Sequence, residues 1–484
     1  MSLQTFTQAF ARCKVDDVFI TGDDGRVFTY GAFWGLAGKL AQTLIAQGAG
    51  RGDRIGVQVE KSVEAVALFY ACARAGLIFL PLNTAYTQSE VGYFITDAAP
   101  SIFITAPGRP SFPGITQLTL DETAGGTLMT LAALHDGHFV DTPSDAATLC
   151  AILYTSGTTG KSKGAMLSQG NLLSNAAALV DEWRFNKGDV LIHALPVYHT
   201  HGLFVAMNTL FLAGGKMFFR RKFDAGDVVA LLPQATALMG VPTFYTRLLQ
   251  RPELNAALCQ AVRLFVSGSA PLLAETHREF AARTGHAILE RYGMTETNMN
   301  TSNPYDGARK PGTVGRALPG IDLRVRDGMI EIKGPNVFQG YWRNDEKTQA
   351  SFTADGYFIT GDLGYLDADQ YLVINGRGSD LIITGGFNVY PKEIEEKIDA
   401  LPGVAESAVI GLPHKDFGEA VTAVVVARKG AKLDAAAIIA ALRENLAAFK
   451  VPKAIHFVDE LPRNAMGKVQ KKILRETYGA LAGN

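Results

Sequence analysis

The sequence predicts an α/β protein with a large N-terminal domain of layered, mostly parallel sheets. A small antiparallel or β-barrel-like section and a small α+β C-terminal domain complete it. Three observations lead there. Buried-strand runs and amphipathic helices alternate from Asp53 to Ala237, the rhythm of parallel sheets covered by helices. Short alternating strands with Asp/Gly turns replace that rhythm around Gly328–Lys333 and Gly364–Asn375. After Gly376 the pattern restarts, over a length of roughly a hundred residues that is ordinary for a domain.

Asp53–Val59 reads as a strand, Ser62–Ala75 as a helix ended by Gly76, and Leu77–Leu82 as a short buried strand. Leu149–Leu153 is an apolar run of the kind that forms a buried strand. Arg326-Asp327-Gly328 and Asp367-Ala368-Asp369 supply the turns of the middle section. Pro391 opens a helix with Ile394, Ile398 and Leu401 at helical spacing. Strands at Ala408–Leu412 and Val421–Ala427 and a helix from Asp434 to about Leu446 follow. No internal repeat or low-complexity tract interrupts the chain.

The bulk numbers exclude several classes of function. With 484 residues, 47% hydrophobic and 19% charged, the chain has ample material for more than one core. A net charge of −1 gives no electrostatic case for nucleic acid or an anionic membrane. Cys13, Cys72, Cys150 and Cys259 are scattered, without the spacing of a zinc site or a disulfide framework. No apolar run reaches the ~18 residues of a membrane span, and the N-terminus lacks an apolar signal core. Cytoplasm is the expected location.

Tyr154–Gly164, reading YTSGTTGKSKG, carries the chemistry. Glycines admit backbone N–H groups close to an anion, Ser and Thr hydroxyls add donors, and Lys161 and Lys163 add point charges. Such a loop holds a polyphosphate. It is not the P-loop of nucleotide triphosphatases, which would place glycine where Thr155 stands.

This loop resembles the phosphate loop of the adenylate-forming superfamily, which comprises acyl-CoA synthetases, peptide-synthetase adenylation domains and luciferases. Five more motifs are similar to that family's and follow in its order: LPVYHTHG (Leu195–Gly202), YGMTE (Tyr292–Glu296), TGD (Thr360–Asp362), GRGSDLIITGGFNVYPKEIE (Gly376–Glu395) and PRNAMGK (Pro462–Lys468). The resemblance implies an AMP-binding domain over residues 1–378 and a mobile C-terminal domain over 379–484, hinged at Ser379. Relatives commonly carry Asp or Lys at that hinge. It also implies ATP, Mg²⁺ and coenzyme A as ligands.

The family's roles carry over by position. Thr155, Ser156, Gly157, Thr158, Thr159, Gly160 and Lys161 would cradle the phosphates. Ser269, Ala270 and Pro271 would lie along one side of the nucleotide, and Tyr292, Gly293 and Met294 along the adenine. Asp362 suits the two ribose hydroxyls, because an ionised carboxylate only accepts hydrogen bonds, and Arg377 would assist. Glu296 is the candidate Mg²⁺ ligand, since a hard cation takes oxygen donors, and Thr295 would reach the α-phosphate. Lys468 would neutralise charge on the α-phosphoryl group during adenylation. Relatives lose activity when this lysine is acetylated, so an acetyltransferase and a deacetylase are expected partners. Gly385 and Gly386 would line the pantetheine tunnel. Of His193, His199 and His201, the position of His199 matches the gate of the acyl pocket, and no Cys or carboxylate completes a metal set.

The acyl pocket falls to His199–Gly202, Gly240–Arg247, Val266–Pro271 and the segment around Tyr292. A fatty or aryl acid would want apolar lining, yet Arg291 precedes Tyr292 and Asn298–Asn303 is polar. Arg291 and Arg247, with Ser267 and His201, therefore suggest an acid bearing a second, distal carboxylate. From sequence alone, either arginine could instead pair with a protein carboxylate. The string ERYGMTETNMNTSNPY is similar to that of the superfamily's malonyl-CoA synthetases. The expected reaction joins malonate, and by tolerance of one methyl also methylmalonate, to CoA through an acyl-AMP. A ligase for another short acid is the alternative. A stand-alone adenylation domain ranks lower, since no carrier domain follows Asn484. A non-catalytic nucleotide sensor would not need Lys468.

Overall fold

The computed structural model describes residues 3–155, 162–385, 387–414, 417–464 and 467–482. Their contacts divide the chain into two compact units. One comprises residues up to Leu323 with Ile332–Phe358, the other Arg324–Glu331 with Ile359 onward.

The first unit is built on two α/β layers, as the alternation predicts. A six-stranded sheet has the order Thr116–Thr119, Ile102–Thr105, Arg54–Gln58, Ile78–Pro81, Leu149–Thr155, Lys163–Ser168. Its neighbours are parallel except the last pair, a hairpin that sets Thr155 opposite Lys163. The nine-stranded sheet has a parallel heart of Val18–Gly22, Lys216–Phe219, Val190–His193, Ala237–Gly240, Leu264–Ser267 and Leu289–Met294. Antiparallel strands close its edges, Val27–Thr29 at one and Asn298–Ser302 with Arg316–Ala317 at the other.

The helix expected over Ser62–Ala75 forms as Val63–Ala75, with the Ser62 hydroxyl accepting from the Ala65 amide at 3.1 Å. Every residue of it is buried, as for a helix covered on all sides. Two of those residues are charged and therefore need partners. Glu64 meets Arg26 at 2.5 Å. Arg74 meets Asp141 at 2.7 Å and donates to the carbonyls of Trp34 and Phe139. Phe69 adds edge contacts to Phe6 and Phe79 and a tilted one to Phe204, with ring centres 5.3, 5.8 and 5.3 Å away. Phe204 lies in a π-helical turn, His201–Ala206, continued by the helix Met207–Ala213. No described helix is long and apolar enough to cross a membrane.

In the middle section, Phe358–Leu366 pairs antiparallel with Leu372–Arg377 across the turn foreseen at Asp367. The second unit is α+β. Its sheet runs Phe387–Val389, Ile382–Thr384, Gly418–Ala427, Val404–His414, with Ala454–Val458 parallel to Gly418–Ala427. The strand expected at Ala408–Leu412 is longer because the facing strand pairs with it from Val404 to His414. Ile394 and Ile398 of the helix Pro391–Asp399 enter a core with Val389, Val409, Val421 and Val425. Asp434 caps, rather than begins, the helix Ala435–Arg443.

Burial pushes the Asp399 carboxyl up to about 7, with Glu395 and Glu406 adding repulsion and Ser407 opposing. Since the folded form binds this proton more tightly, the associated stability is fully present below about pH 4 and is lost as pH rises through about 7. Asp399→Asn mimics the protonated side chain. Its denaturation midpoint should exceed that of the wild type at about pH 8 and match it at about pH 4, which denaturant titration at the two pH values checks.

Candidate active site

The parallel strands Val190–His193, Ala237–Gly240, Leu264–Ser267 and Leu289–Met294 share a direction, so the segments leaving their carboxyl ends meet on one side of the sheet. Ligands of open α/β sheets bind there. Four of the expected residues gather at this edge. Ser267 pairs in register with Glu290, which places Gly268 beside Arg291 on the next strand. The fit is close, because a Cβ on Gly268 would lie 2.5 Å from the Arg291 Cζ. Only glycine leaves space for the guanidinium.

Arg291 is 3% exposed, and its Nε and Nη2 have no hydrogen-bond partner among the described residues. Burial drags the guanidinium down to about 9, opposed by the fields of Tyr245 and Glu290, so it is still charged at neutral pH. His201 is fully buried, with Nδ1 3.2 Å from the Ser269 hydroxyl and Nε2 unpartnered. Burial, then the field of Arg291, holds this imidazole well below its ordinary value, hence neutral. The Ser267 hydroxyl is buried and also unpartnered. A buried cation close to polar groups that lack partners among the described residues is an arrangement able to receive a carboxylate.

His199 is half-buried at the entrance to the π-turn, with Nδ1 accepting from the His201 amide at 3.4 Å. Arg247 requires a correction. It sits on the helix Pro242–Leu249 but is exposed, so the argument from a buried guanidinium applies to Arg291 alone. Position in the helix decides this: Phe244, Tyr245 and Leu248 take the inward face.

On the phosphate side, Ser156, Gly157, Thr158, Thr159, Gly160 and Lys161 lie outside the described residues. The two ends of the loop are fixed. Thr155 Oγ1 lies 3.4 Å from Glu296 Oε1, and the Tyr93 hydroxyl donates to the Ser162 carbonyl at 2.7 Å. Glu296 is 5% exposed and also accepts from the Tyr341 hydroxyl at 3.0 Å. Lys163 stands over the Tyr341 ring at 5.7 Å. Tyr341 is the residue that the sequence did not mark, since a lone Gly-Tyr-Trp in a loop has no chemical signature. A buried carboxylate steadied by hydroxyls is a hard-oxygen donor that fits Mg²⁺. Among the described residues, no cluster of three or more His, Cys, Asp or Glu forms a site for another metal.

Tyr292, Gly293 and Met294 end the strand Leu289–Met294, with Thr295 and Glu296 turning away from it. Ser269 adopts a left-handed φ of +72°, which turns the chain sharply before Ala270 and Pro271.

In the second unit, Asp362 and Arg377 stand opposite each other in the hairpin and pair at 2.9 Å. Gly385 donates to the Phe417 carbonyl, while Gly386 lies outside the described residues. Lys468 is exposed on a tight return, in which its amide donates to Asn464 Oδ1 at 3.0 Å and Asn464 N donates to its carbonyl at 2.9 Å.

The family of AMP-binding enzymes matches residues 6–342, and the AMP-binding enzyme C-terminal domain matches residues 393–468. The chain belongs to this family. Malonate–CoA ligase of Arabidopsis thaliana is 32% identical, covering 98% of this chain and 89% of that protein. Indoleacetate–CoA ligase of Aromatoleum aromaticum is 34% identical, covering 93% of each. The crystal structure of ATP-bound MatB from Rhodopseudomonas palustris is similar with a TM-score of 0.95 at 56% identity, covering 98% of this chain and 99% of that one.

For this AMP-binding enzyme the unpaired Arg291 has a measurable cost. Replacing an uncompensated buried charge by an apolar side chain of similar length stabilises by about 1–4 kcal/mol. Arg291→Met should therefore unfold at higher denaturant concentration than the wild type when no acid is present. A lower midpoint would mean that a protein group pairs with the guanidinium.

Proposed function

We propose that this enzyme is an ATP-dependent malonate–CoA ligase, producing malonyl-CoA, AMP and pyrophosphate through malonyl-AMP. The observation that supports the reading is the buried Arg291 guanidinium with unpartnered Nε and Nη2, flanked by Ser267 and neutral His201. A distal carboxylate is the group that satisfies this set. Between the two curated relatives, identity does not choose the acid, because those named for malonate and for indoleacetate match almost equally well. Methylmalonate fits the same receptor, since one methyl changes discrimination by only about 1–3 kcal/mol.

In the first half-reaction, the reacting carboxylate oxygen bonds to the α-phosphorus as the bond to pyrophosphate breaks. Arg291, Ser267 and His201 hold the far carboxylate, so only one end of the diacid reaches the phosphate. Lys161 and the other residues of the loop bind phosphate oxygens, and Tyr292 with Ser269–Pro271 flank the nucleotide. Thr295 donates to the α-phosphate, and Asp362, oriented by Arg377, accepts from the ribose. Glu296 would hold Mg²⁺, which when bound offsets phosphate charge. Lys468 neutralises the α-phosphoryl oxygens as charge shifts. In the second half-reaction, residues 379–484 turn about Ser379 and bring Gly385 and Gly386 to the site. There the CoA thiol attacks the carbonyl, loses its proton and displaces AMP.

A panel of acids in an AMP-forming assay tests the substrate. Malonate should exceed butyrate in kcat/KM by about 2–4 kcal/mol, roughly 30- to 900-fold, because butyrate leaves the buried donors unpaired. Equal values would overturn the dicarboxylate reading.

Lys468→Ala separates the half-reactions. Formation of malonyl-AMP should slow by about 3–4 kcal/mol of barrier, whereas preformed malonyl-AMP and CoA should still give malonyl-CoA at near the wild-type rate. Acetylation of Lys468 by an acetyltransferase should reproduce the first defect, since it removes the charge. Equal damage to both half-reactions would place Lys468 in one fixed site.

A further inference from the structure

Lys61 is 7% exposed, in the segment between the strand Arg54–Gln58 and the helix Val63–Ala75. A buried ammonium ordinarily sits against a carboxylate, yet no carboxylate pairs with Lys61 among the described residues. Asp23, whose field reaches it, pairs instead with Arg221 at 3.1 Å. Lys61 Nζ points at His193, 2.9 Å from Nδ1 and 2.9 Å from the backbone carbonyl. The Phe219 ring lies 4.3 Å beneath it.

His193 ends its parallel strand fully buried, and its Nε2 is 2.9 Å from the Gly202 carbonyl. Burial and the field of Lys61 hold this imidazole well below its ordinary value, so it is neutral and carries one N–H. A carbonyl only accepts, which puts the proton on Nε2 and leaves Nδ1 to accept from Lys61. The tautomer is thereby fixed, and the line runs Lys61 to His193 to Gly202.

Gly202 is the second residue of the π-turn that carries His201. A Cβ there would lie 2.0 Å from the Pro196 carbonyl, so the turn is pressed against the preceding loop as well. Turns with i→i+5 bonding are rare and energetically poor on their own, so one at a site needs external support. His201 on this turn lies in the field of Arg291 and keeps its Nε2 without a partner among the described residues, so a small rotation of the turn would move that nitrogen.

We infer that Lys61 and His193 are positioning residues for acid selection: their hydrogen-bonded line to the Gly202 carbonyl holds the π-turn in the orientation that presents His201 to the distal carboxylate. The inference rests on the malonate reading of that receptor. Neither residue touches substrate. Their loss should therefore appear in discrimination between acids, with little effect on nucleotide use.

The test measures kcat/KM for malonate and butyrate, and KM for ATP, in the wild type, Lys61→Met, His193→Leu and His193→Gln. Lys61→Met and His193→Leu should each lower the malonate-to-butyrate ratio by about tenfold or more, with KM for ATP within about twofold. His193→Gln can still donate to the Gly202 carbonyl and should keep the ratio within about threefold of the wild type. Lys61→Met, which removes a buried amine in favour of a thioether of similar length, carries the test alone should His193→Leu not fold. An unchanged ratio in folded Lys61→Met overturns the inference, as does a loss shared equally by malonate, butyrate and ATP. A wild type without preference for malonate would instead fail the underlying reading, and that result is visible before any variant is made.

Discussion

A guanidinium buried without a carboxylate partner among the described residues is the constraint around which this edge of the sheet is arranged. Arg291 can occupy its position only because Gly268 has no side chain, and because the neighbouring strand brings Gly268 alongside in register. Its field helps keep His201 neutral, and a neutral imidazole can donate to a carboxylate without adding a second buried charge. The strand ends, the glycine and the neutral histidine of the π-turn are thus arranged around one buried cation.

The phosphate side is assembled differently. Its central loop is chemically rich but short, and the fold fixes its ends: a hairpin pairs Thr155 with Lys163, and Tyr93 holds Ser162. Glu296 is steadied by hydroxyls from two separate segments, Thr155 and Tyr341, which orient the carboxylate without neutralising it. Hydroxyls therefore hold the anion Glu296, whereas the cation Arg291 keeps donors without partners among the described residues. In the second unit Asp362 pairs with Arg377 across its own hairpin, and the backbone of Lys468 is held by Asn464.

Much of this was legible in the sequence, because local chemistry determined it. Ser62 and Gly76 bracket a helix that forms where expected, and Pro391 with Ile394 and Ile398 marks another. Arg291 was recognisable as a cation beside Tyr292, ahead of the polar run Asn298–Asn303. Arg247 looked equivalent, and only the inward turn of Phe244, Tyr245 and Leu248 reveals that it faces solvent. Tyr341 and Lys61 carried no signal at all. Their importance arises from contacts with Glu296 and His193, over separations of 45 and 132 residues, which no local spacing encodes. The π-turn was equally hidden, since its contacts with His193 and Phe69 come from distant segments.

The contact between Gly268 and Arg291 also constrains the order in which this pocket can change during evolution. A methyl at position 268 would strike the guanidinium, so that substitution arriving first meets a clash with a side chain packed on every side. Once the arginine has been replaced by something shorter, the same methyl fills space that would otherwise be a void. One mutation thus changes sign according to whether the other preceded it, the non-additivity characteristic of residues in direct contact. A lineage that exchanges this cation for apolar filling must therefore surrender the arginine before position 268 can grow, and the reverse journey must restore the glycine first.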